Sequence, residues 1–279
     1  MKFDPVSIIP KRTSRRSYIS NALTEKNLLE IQSLLGKYSQ GPLGTEVEFQ
    51  LVSKHAPSNR KLKLGTYGFI QGAGQFIVGQ VKPTKDAMLD YGFLLEKIVL
   101  ELTHLNMATC WLGGTFDRSG FGKAINQKEG WVIPAITPVG YSTKNRSIGD
   151  TVIRAGAGSK RRKSWEELFF SGETKKPALA DEMGNKSLWL EMLRIGPSAS
   201  NNQPWRIMVF PDKFQLYLNR KPGYQKMFGV VDIQMIDMGI AMSHLDIMMR
   251  SEQLEAKWRF ENAPEELHDW EYVISLDLC

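Results

Sequence analysis

The spacing of hydrophobic residues predicts a mixture of helices and strands along the whole chain. Apolar residues at helical intervals predict helices over 24–36, 86–105, 186–195 and 231–254, and a short helix over 165–170. The 86–105 and 231–254 helices are apolar on most faces, which is typical of buried helices. Alternating or continuous apolar runs between turn residues predict strands at 47–53, 76–78, 107–112, 131–139, 205–210, 214–219, 256–260 and 272–278.

The two long apolar helices belong to a repeated block. Asp90-x-Gly92 recurs 147 positions later as Asp237-x-Gly239, and the same offset relates the tryptophan-bearing strands that follow. Helical periodicity alone also produces echoes of this kind, so chance matching is the alternative. Two packed units of this size are expected to share one core. The repeat therefore predicts an α+β fold, an α/β sandwich, with two similar halves.

Composition indicates an ordinary globular protein. The 279 residues are 42% hydrophobic and 24% charged, and the formal net charge is +6. Cys110 and Cys279 make neither a disulfide framework nor a metal-ligand spacing. No apolar run reaches the roughly 18 residues of a membrane helix. The N-terminus is polar and contains Pro5, unlike a signal peptide, so the expected location is cytoplasmic.

Basic residues concentrate in two segments, 11–16 and 160–163. Arg12, Ser14 and Arg16 alternate, so an extended backbone would place all three side chains on one side. Two guanidiniums and a hydroxyl suit a phosphate group, although a solvated basic arm is the alternative. Nucleic-acid binding is disfavoured, because few aromatic residues adjoin the basic ones.

A second segment combines a predicted helix end, small hydrogen-bonding residues and a predicted strand. Its small side chains would allow a flat ligand to approach the backbone, although Ser/Asn/Pro loops are also common as plain connections. Asn201 and Gln203 carry amides that could pair with the edge of a heterocycle. The segment reads Gly196-Pro197-Ser198-Ala199-Ser200-Asn201-Asn202-Gln203-Pro204-Trp205.

These two motifs together resemble those of the FMN-dependent nitroreductases. Arg12-x-Ser14-x-Arg16-x-Tyr18 is similar to the family's opening motif, and 196–205 is similar to its Pro-Ser-x-x-Asn-x-Gln-Pro-Trp loop. Each half carries only one of the two motifs. This arrangement resembles the TM nitroreductase branch, in which a dimer has become one chain. The resemblance implies a nitroreductase-like first half (1–150), a basic connecting segment (151–184) and a second half (185–279). It also implies one FMN per chain and a monomer.

The resemblance further implies how the flavin is held and used. No catalytic side chain is expected, because NAD(P)H reduces the flavin and a small aromatic or quinone acceptor then reoxidises it in a ping-pong cycle. An FMN-binding protein with a different flavin reaction, or with little reductase activity, is the alternative. The usual acidic residue before the second glycine of the N5 pair is absent. The implied binders are Arg12, Ser14, Lys160 and Arg162 for phosphate and ribityl, Arg16 for the pyrimidine end, Pro197, Ser198, Ala199 and Asn201 for the rings, and Gly113 with Gly114, whose backbone amide would face N5.

The sequence offers two further sets of residues outside the implied flavin contacts. His104 and His244 lie in the predicted apolar helices, where packing is a commoner role for histidine than catalysis. The segment 220–229 offers Tyr224, Met227 and Phe228 as a wall for a substrate ring, with a surface connection as the equal alternative.

Overall fold

The computed structural model describes residues 3–19, 23–57, 62–142, 161–223, 228–262, 264, 267 and 269–278. Its longer α-helices begin at polar residues that accept backbone hydrogen bonds, with Thr24, Thr84 and Asp232 as examples. The α-helices are α1 (Pro5–Ile8), α2 (Glu25–Lys37), α3 (Lys85–His104), α4 (Arg118–Ala124), α5 (Asn185–Arg194) and α6 (Ile233–Ser251).

The strands form two sheets, one in each half. The first sheet is antiparallel, in the order β1-β2-β4-β3, and the second has the order β5-β6-β7-β9-β8. Within the second sheet β5 pairs with β6 in parallel, and the other pairs are antiparallel. The strands are β1 (Glu48–Ser53), β2 (Gln75–Gln80), β3 (Ala108–Thr109), β4 (Ile136–Gly140), β5 (Phe169–Ser171), β6 (Trp205–Val209), β7 (Lys213–Leu218), β8 (Lys257–Arg259) and β9 (Glu271–Asp277).

Helices α3 and α6 cross at the two glycines of the repeat. A Cβ atom added at Gly92 would lie 2.1 Å from the Ile236 carbonyl oxygen. A Cβ added at Gly239 would lie 2.0 Å from the Leu89 carbonyl oxygen. Because Leu89 and Ile236 are related by the same offset as the glycines, the two contacts are reciprocal. Such reciprocity is the mark of a two-fold interface, here within one chain.

The two aspartates of the repeat also have matching roles. Asp90 accepts backbone N–H groups of Leu43 (3.1 Å) and Thr45 (2.9 Å), in the loop that follows α2. Asp237 accepts the backbone N–H of Ala199 (2.8 Å), in the loop that follows α5. Burial raises the pKa of Asp90 to about 6 and raises the pKa of Asp237 well above its usual range. Asp90 therefore connects α3 to the loop before β1, and Asp237 connects α6 to the loop before β6.

Most predicted elements are confirmed, and three are not. The predicted helix over 165–170 is wrong, because only 165–167 forms a 3-10 turn, after which β5 pairs with β6. The predicted strand 131–139 begins only at Ile136, after Pro134, which cannot donate to a ladder. The predicted strand 107–112 shortens to β3. Helices α1 and α4 were not predicted, since a single helical turn and a glycine-rich stretch give little periodicity.

The α+β fold class is confirmed, whereas the division into 1–150, 151–184 and 185–279 stays a prediction. Strand β5 lies within the segment assigned as the connection, yet it belongs to the second sheet. In the described part of the chain, no helix combines the length and apolarity that a membrane crossing requires.

Candidate functional site

The N-terminal basic arm runs beside the short strand β3. Ser14 is bridged to Thr109 in parallel, and the Arg15 amide donates to the Thr109 carbonyl at 2.9 Å. Further along, the Gln71 amide donates to the Arg16 carbonyl at 2.8 Å. These bonds hold the backbone along a strand edge, as the alternation of basic residues requires. The arm also lies next to the segment that leads from β3 to Gly113.

Arg12 reaches into the interior between the two halves. Its side chain is only 8% exposed, and its Nε lies 3.8 Å from Oε1 of Glu96, a fully buried residue of α3. Nε makes no hydrogen bond although it is buried. A buried donor without a partner is costly, which is typical of a position that a ligand completes.

A second arginine joins this interior position from the connecting segment. Arg162 donates through Nη1 to the side-chain oxygen of Asn201, and through Nη2 to the Ile195 carbonyl at 2.9 Å. Burial, together with the nearby Arg12 and Arg194, lowers the pKa of Arg162 to about 10. Arg162 is therefore still protonated at neutral pH, and its charge adds to that of Arg12.

The loop after α5 is held in an unusual backbone conformation. Ser200, Asn201 and Gln203 have φ values of 49°, 55° and 45°. Non-glycine residues rarely adopt this left-handed region, and they cluster at ligand-binding positions where the surroundings enforce it. The enforcing contacts include Asp237 on the Ala199 amide and the hydroxyl of Ser198, which accepts the Gln203 amide at 2.8 Å.

The Gln203 amide is bonded within the protein, so the prediction that it pairs with the edge of a heterocycle is wrong. Its side chain is fully buried, its Oε1 accepts the Lys163 amide at 2.7 Å, and its Nε2 donates to the Arg194 carbonyl at 2.5 Å. The amide of Asn201 is also bonded within the protein, because its Nδ2 donates to the Arg161 carbonyl at 2.8 Å. Both amides thus fasten the basic connecting segment to the loop.

Gly113 and Gly114 face the second half of the chain. A Cβ at Gly114 would lie 2.8 Å from Cε1 of Phe228, and one at Gly113 would lie 2.6 Å from Cδ1 of Ile233. Arg118 donates to the Gly113 carbonyl and fixes the turn from one side. The two glycines therefore present bare backbone toward an aromatic ring that precedes α6.

Comparison with known proteins identifies the family. The family described as "Putative TM nitroreductase" matches residues 6–249. The chain belongs to this nitroreductase family. A structure described as a "putative nitroreductase" from Thermotoga maritima MSB8 is similar over 100% of this chain and 95% of its own, with 18% identity and a TM-score of 0.65. The sequence matches no curated protein.

Other solved structures resemble only about half of this nitroreductase. A nitroreductase with bound FMN from Desulfitobacterium hafniense DCB-2 is 19% identical over 55% of this chain and 97% of its own, with a TM-score of 0.43. A protein described as "Putative NADH Oxidase" from Clostridium acetobutylicum is 22% identical over 50% of this chain and 89% of its own, with a TM-score of 0.40.

Three of the predicted site residues of the nitroreductase lie close together. Arg12, Arg162 and Asn201 come from the arm, the connecting segment and the second half, and they lie within one network around Glu96. Pro197 is buried, and Ser198 and Ala199 are part of the same loop. Lys160, Tyr224 and Met227 lie outside the described residues.

Glu96 was not predicted from the sequence, which nevertheless pointed to two of its partners, Arg12 and His244. Glu96 accepts Trp111 Nε1 at 2.8 Å and lies 3.2 Å from Nε2 of His244, which is buried as predicted. The available signal was a carboxylate within the apolar helix α3, since a buried acid needs partners. Among the described residues, no group of three or more His, Cys, Asp or Glu side chains could hold a metal ion.

Proposed function

We propose that this nitroreductase binds one FMN between its halves and passes electrons from NAD(P)H to a small aromatic or quinone acceptor. One observation carries the proposal: the arginine arm of the first half and the asparagine loop of the second half meet, with Arg162 between them. The two motifs are 184 residues apart in sequence, from Arg12 to Gly196. Their meeting makes a composite site that neither half contains alone.

The residues present fit the phosphate end of FMN. Arg12 and Arg162 supply two neighbouring guanidiniums, and the buried Nε of Arg12 has no hydrogen-bond partner. Guanidinium groups bind phosphate through charge-assisted hydrogen bonds, which are about twice as strong as neutral ones. Ser14 and Lys160 are the further residues that we assign to the phosphate and ribityl chain.

The residues present also fit the ring end. Gly113 and Gly114 leave backbone uncovered by side chains of their own, and the 197–201 loop contributes only small or amide side chains. We assign the Gly114 amide to N5 and Arg16 to the pyrimidine end. A cation at that end would stabilise the negative charge that a reduced flavin carries. Bound FMN supplies the hydride chemistry, and the protein binds and orients it.

This assignment needs no nucleophile or general base from the chain. The protein's tasks are to fix the ring against Gly113–Gly114, to keep positive charge at both ends of the cofactor, and to admit the donor and the acceptor in turn. Phe228 is the described side chain closest to Gly114 and so would contact whatever occupies the face beside the ring. Alternate occupation of one face is the physical basis of a ping-pong cycle.

A spectrum of the purified full-length chain tests the proposal. We expect flavin absorbance and a stoichiometry of one FMN per chain, after reconstitution if the flavin is lost during purification. Oxidation of NADH and NADPH with quinone and nitroaromatic acceptors should then give parallel double-reciprocal plots. Failure to take up flavin would overturn the proposal. Binding of one FMN without turnover would instead indicate a different flavin reaction.

A matched pair of variants tests the phosphate assignment. Arg12→Gln removes the buried guanidinium. Arg15→Gln removes an arginine of the same arm that, by the alternation of an extended backbone, is expected on the side opposite Ser14 and Arg16. We expect Arg12→Gln to weaken FMN binding by roughly 100-fold and riboflavin binding by little, because only FMN carries the phosphate. Arg15→Gln should leave both affinities unchanged. Equal effects of the two substitutions on FMN binding would contradict the assignment.

A further inference from the structure

A buried acid and a buried histidine join the two halves behind the proposed phosphate position. Glu96 lies on α3 and His244 on α6, and both side chains are 0% exposed. Trp111 donates to the far carboxylate oxygen at 2.8 Å. Gly196, at the base of the loop after α5, lies beside the imidazole of His244, because a Cβ added there would be 3.3 Å from Nε2. The pair therefore touches both long helices and the base of the loop after α5, and Arg12 of the arm lies 3.8 Å from Glu96.

Proton counting shows that this pair carries a shared proton. His244 Nδ1 lies 2.9 Å from the Met192 carbonyl, which can only accept, so Nδ1 carries a hydrogen. Nε2 lies 3.2 Å from Glu96 Oε1, and two bare lone pairs would repel each other at that distance. A second proton must therefore lie between them. Whichever atom holds it, the pair then has no net charge.

The charged groups that approach Glu96 from the arm and from the connecting segment are arginines. Arg12 faces Glu96 from the arm at 3.8 Å, which is too long for a hydrogen bond, and Arg162 faces it from the connecting segment. Arg194 of α5 stands behind Arg162 and pairs with Glu191 at 2.6 Å. On α3 and α6 themselves, Lys97 and Asp246 pair with each other at 2.5 Å.

We infer that Glu96 and His244 form a proton-holding pair that sets the strength of phosphate binding. While the proton is held, Glu96 leaves Arg12 available to the phosphate. Without that proton, the pair would be an anion that competes for Arg12 and repels the phosphate. Glu96 and His244 are thus positioning residues for the phosphate of a flavin nucleotide, and the inference rests on the proposed FMN site.

Flavin affinity at a single pH tests this inference. FMN binding is compared with the binding of riboflavin, which carries no phosphate and should not respond to the charge of the pair.

Two variants separate charge from structural damage. His244→Gln keeps a donor toward Glu96 but removes the shared proton, so the pair would carry a negative charge. FMN binding should weaken roughly tenfold, whereas riboflavin binding should not change. The double variant Glu96→Gln/His244→Gln makes the pair neutral again and should recover wild-type FMN affinity. His55→Gln, an exposed histidine of the first half, is the control.

The outcomes distinguish this inference from the proposed function. If the double variant binds FMN as weakly as His244→Gln while its circular dichroism spectrum is native, the pair acts only through packing and the inference is wrong. If His244→Gln binds FMN as well as wild type does, the inference is wrong as well. A wild-type chain that takes up neither FMN nor riboflavin would overturn the proposed function together with the inference.

Discussion

Substitution of Gly92 by alanine tests whether the two halves are held together by the crossing of α3 and α6. The added Cβ would lie 2.1 Å from the Ile236 carbonyl oxygen and 3.0 Å from its carbon. Both are backbone atoms of a packed helix, so no side chain can rotate away. The two helices would have to separate by about 1 Å, and the closely packed side chains on both sides would lose contact.

The magnitude follows from two opposing effects. Forcing extra atoms into a packed core costs about 1–3 kcal/mol, and alanine gains about 1 kcal/mol over glycine within a helix. Because the clashing atoms are backbone, the cost lies at the upper end of that range, and we expect Gly92→Ala to lower the free energy of unfolding by about 2 kcal/mol. Gly239→Ala should cost the same, since its Cβ would lie 2.0 Å from the Leu89 carbonyl oxygen.

Gly36 offers a matched control within the same protein. It lies inside α2, and a Cβ there would meet no atom within 4 Å. Gly36→Ala should therefore stabilise the protein by up to about 1 kcal/mol through helix propensity alone. Urea unfolding followed by circular dichroism measures all three variants, and each kcal/mol corresponds to about 2–4 °C in melting temperature at this chain length.

The double variant gives the sharpest test of the crossing. Because one separation of the helices would relieve both clashes, Gly92→Ala with Gly239→Ala should cost less than the sum of the single losses. The reasoning fails if Gly92→Ala unfolds at the same urea concentration as wild type while Gly36→Ala shows its expected gain. It also fails if the two single variants differ by several kcal/mol, because the contacts would then not be equivalent.

Three further predictions follow from individual contacts. Burial raises the pKa of Asp90 from 3.8 to about 6, so the folded protein binds a proton at this carboxyl more tightly than the unfolded chain does. The stabilisation from this proton is fully present below about pH 4 and is lost as pH rises through 6. Urea unfolding should therefore show wild type losing about 2 kcal/mol relative to Asp90→Asn between pH 4 and pH 7, and parallel pH curves would contradict this. The Cβ of Gly114→Ala would lie 2.8 Å from the Phe228 ring, so this variant should weaken flavin binding while lowering the free energy of unfolding by under about 1 kcal/mol. Adding Phe228→Ala to it should partly restore flavin binding, as measured by flavin fluorescence. Gln203→Ala leaves the Lys163 amide and the Arg194 carbonyl without this partner and should cost about 2–4 kcal/mol by urea unfolding, whereas a loss below 0.5 kcal/mol would show that water replaces it.

The long elements could be predicted from sequence because their patterns are local. Helices α3 and α6 show sustained periodicity, and β6 and β7 flank an evident turn, so their positions follow from neighbouring residues alone. Strand β5 could not be predicted in this way. Its Phe169 is placed in a strand by pairing with Ile207 of β6, a contact made through tertiary structure.

The same distinction between local patterns and tertiary contacts applies to the candidate site. Arg12 and the loop around Asn201 could be found, because they resemble short motifs with recognisable chemistry. Glu96 could not, because its role depends on Arg12, His244 and Trp111, which arrive from different segments. The interpretation of Gln203 as a ligand contact failed for a related reason. An amide can pair with any backbone group, and here the connecting segment supplied its partners.

Only one of the two equivalent loops belongs to the proposed site, and the two loops differ in the contacts that they make. Asp90 and Asp237 anchor the loops after α2 and α5 in the same manner. In the first loop, residues 38–47, only Gly44 has a positive φ, so the conformation needs no external support. In the second loop three non-glycine residues have a positive φ, and Arg162 is bonded to it. Bonds from Asp237 and Ser198 hold this strain from within the second half, and Arg162 holds it from the connecting segment. The proposed site therefore depends on the connection between the halves as well as on their shared fold.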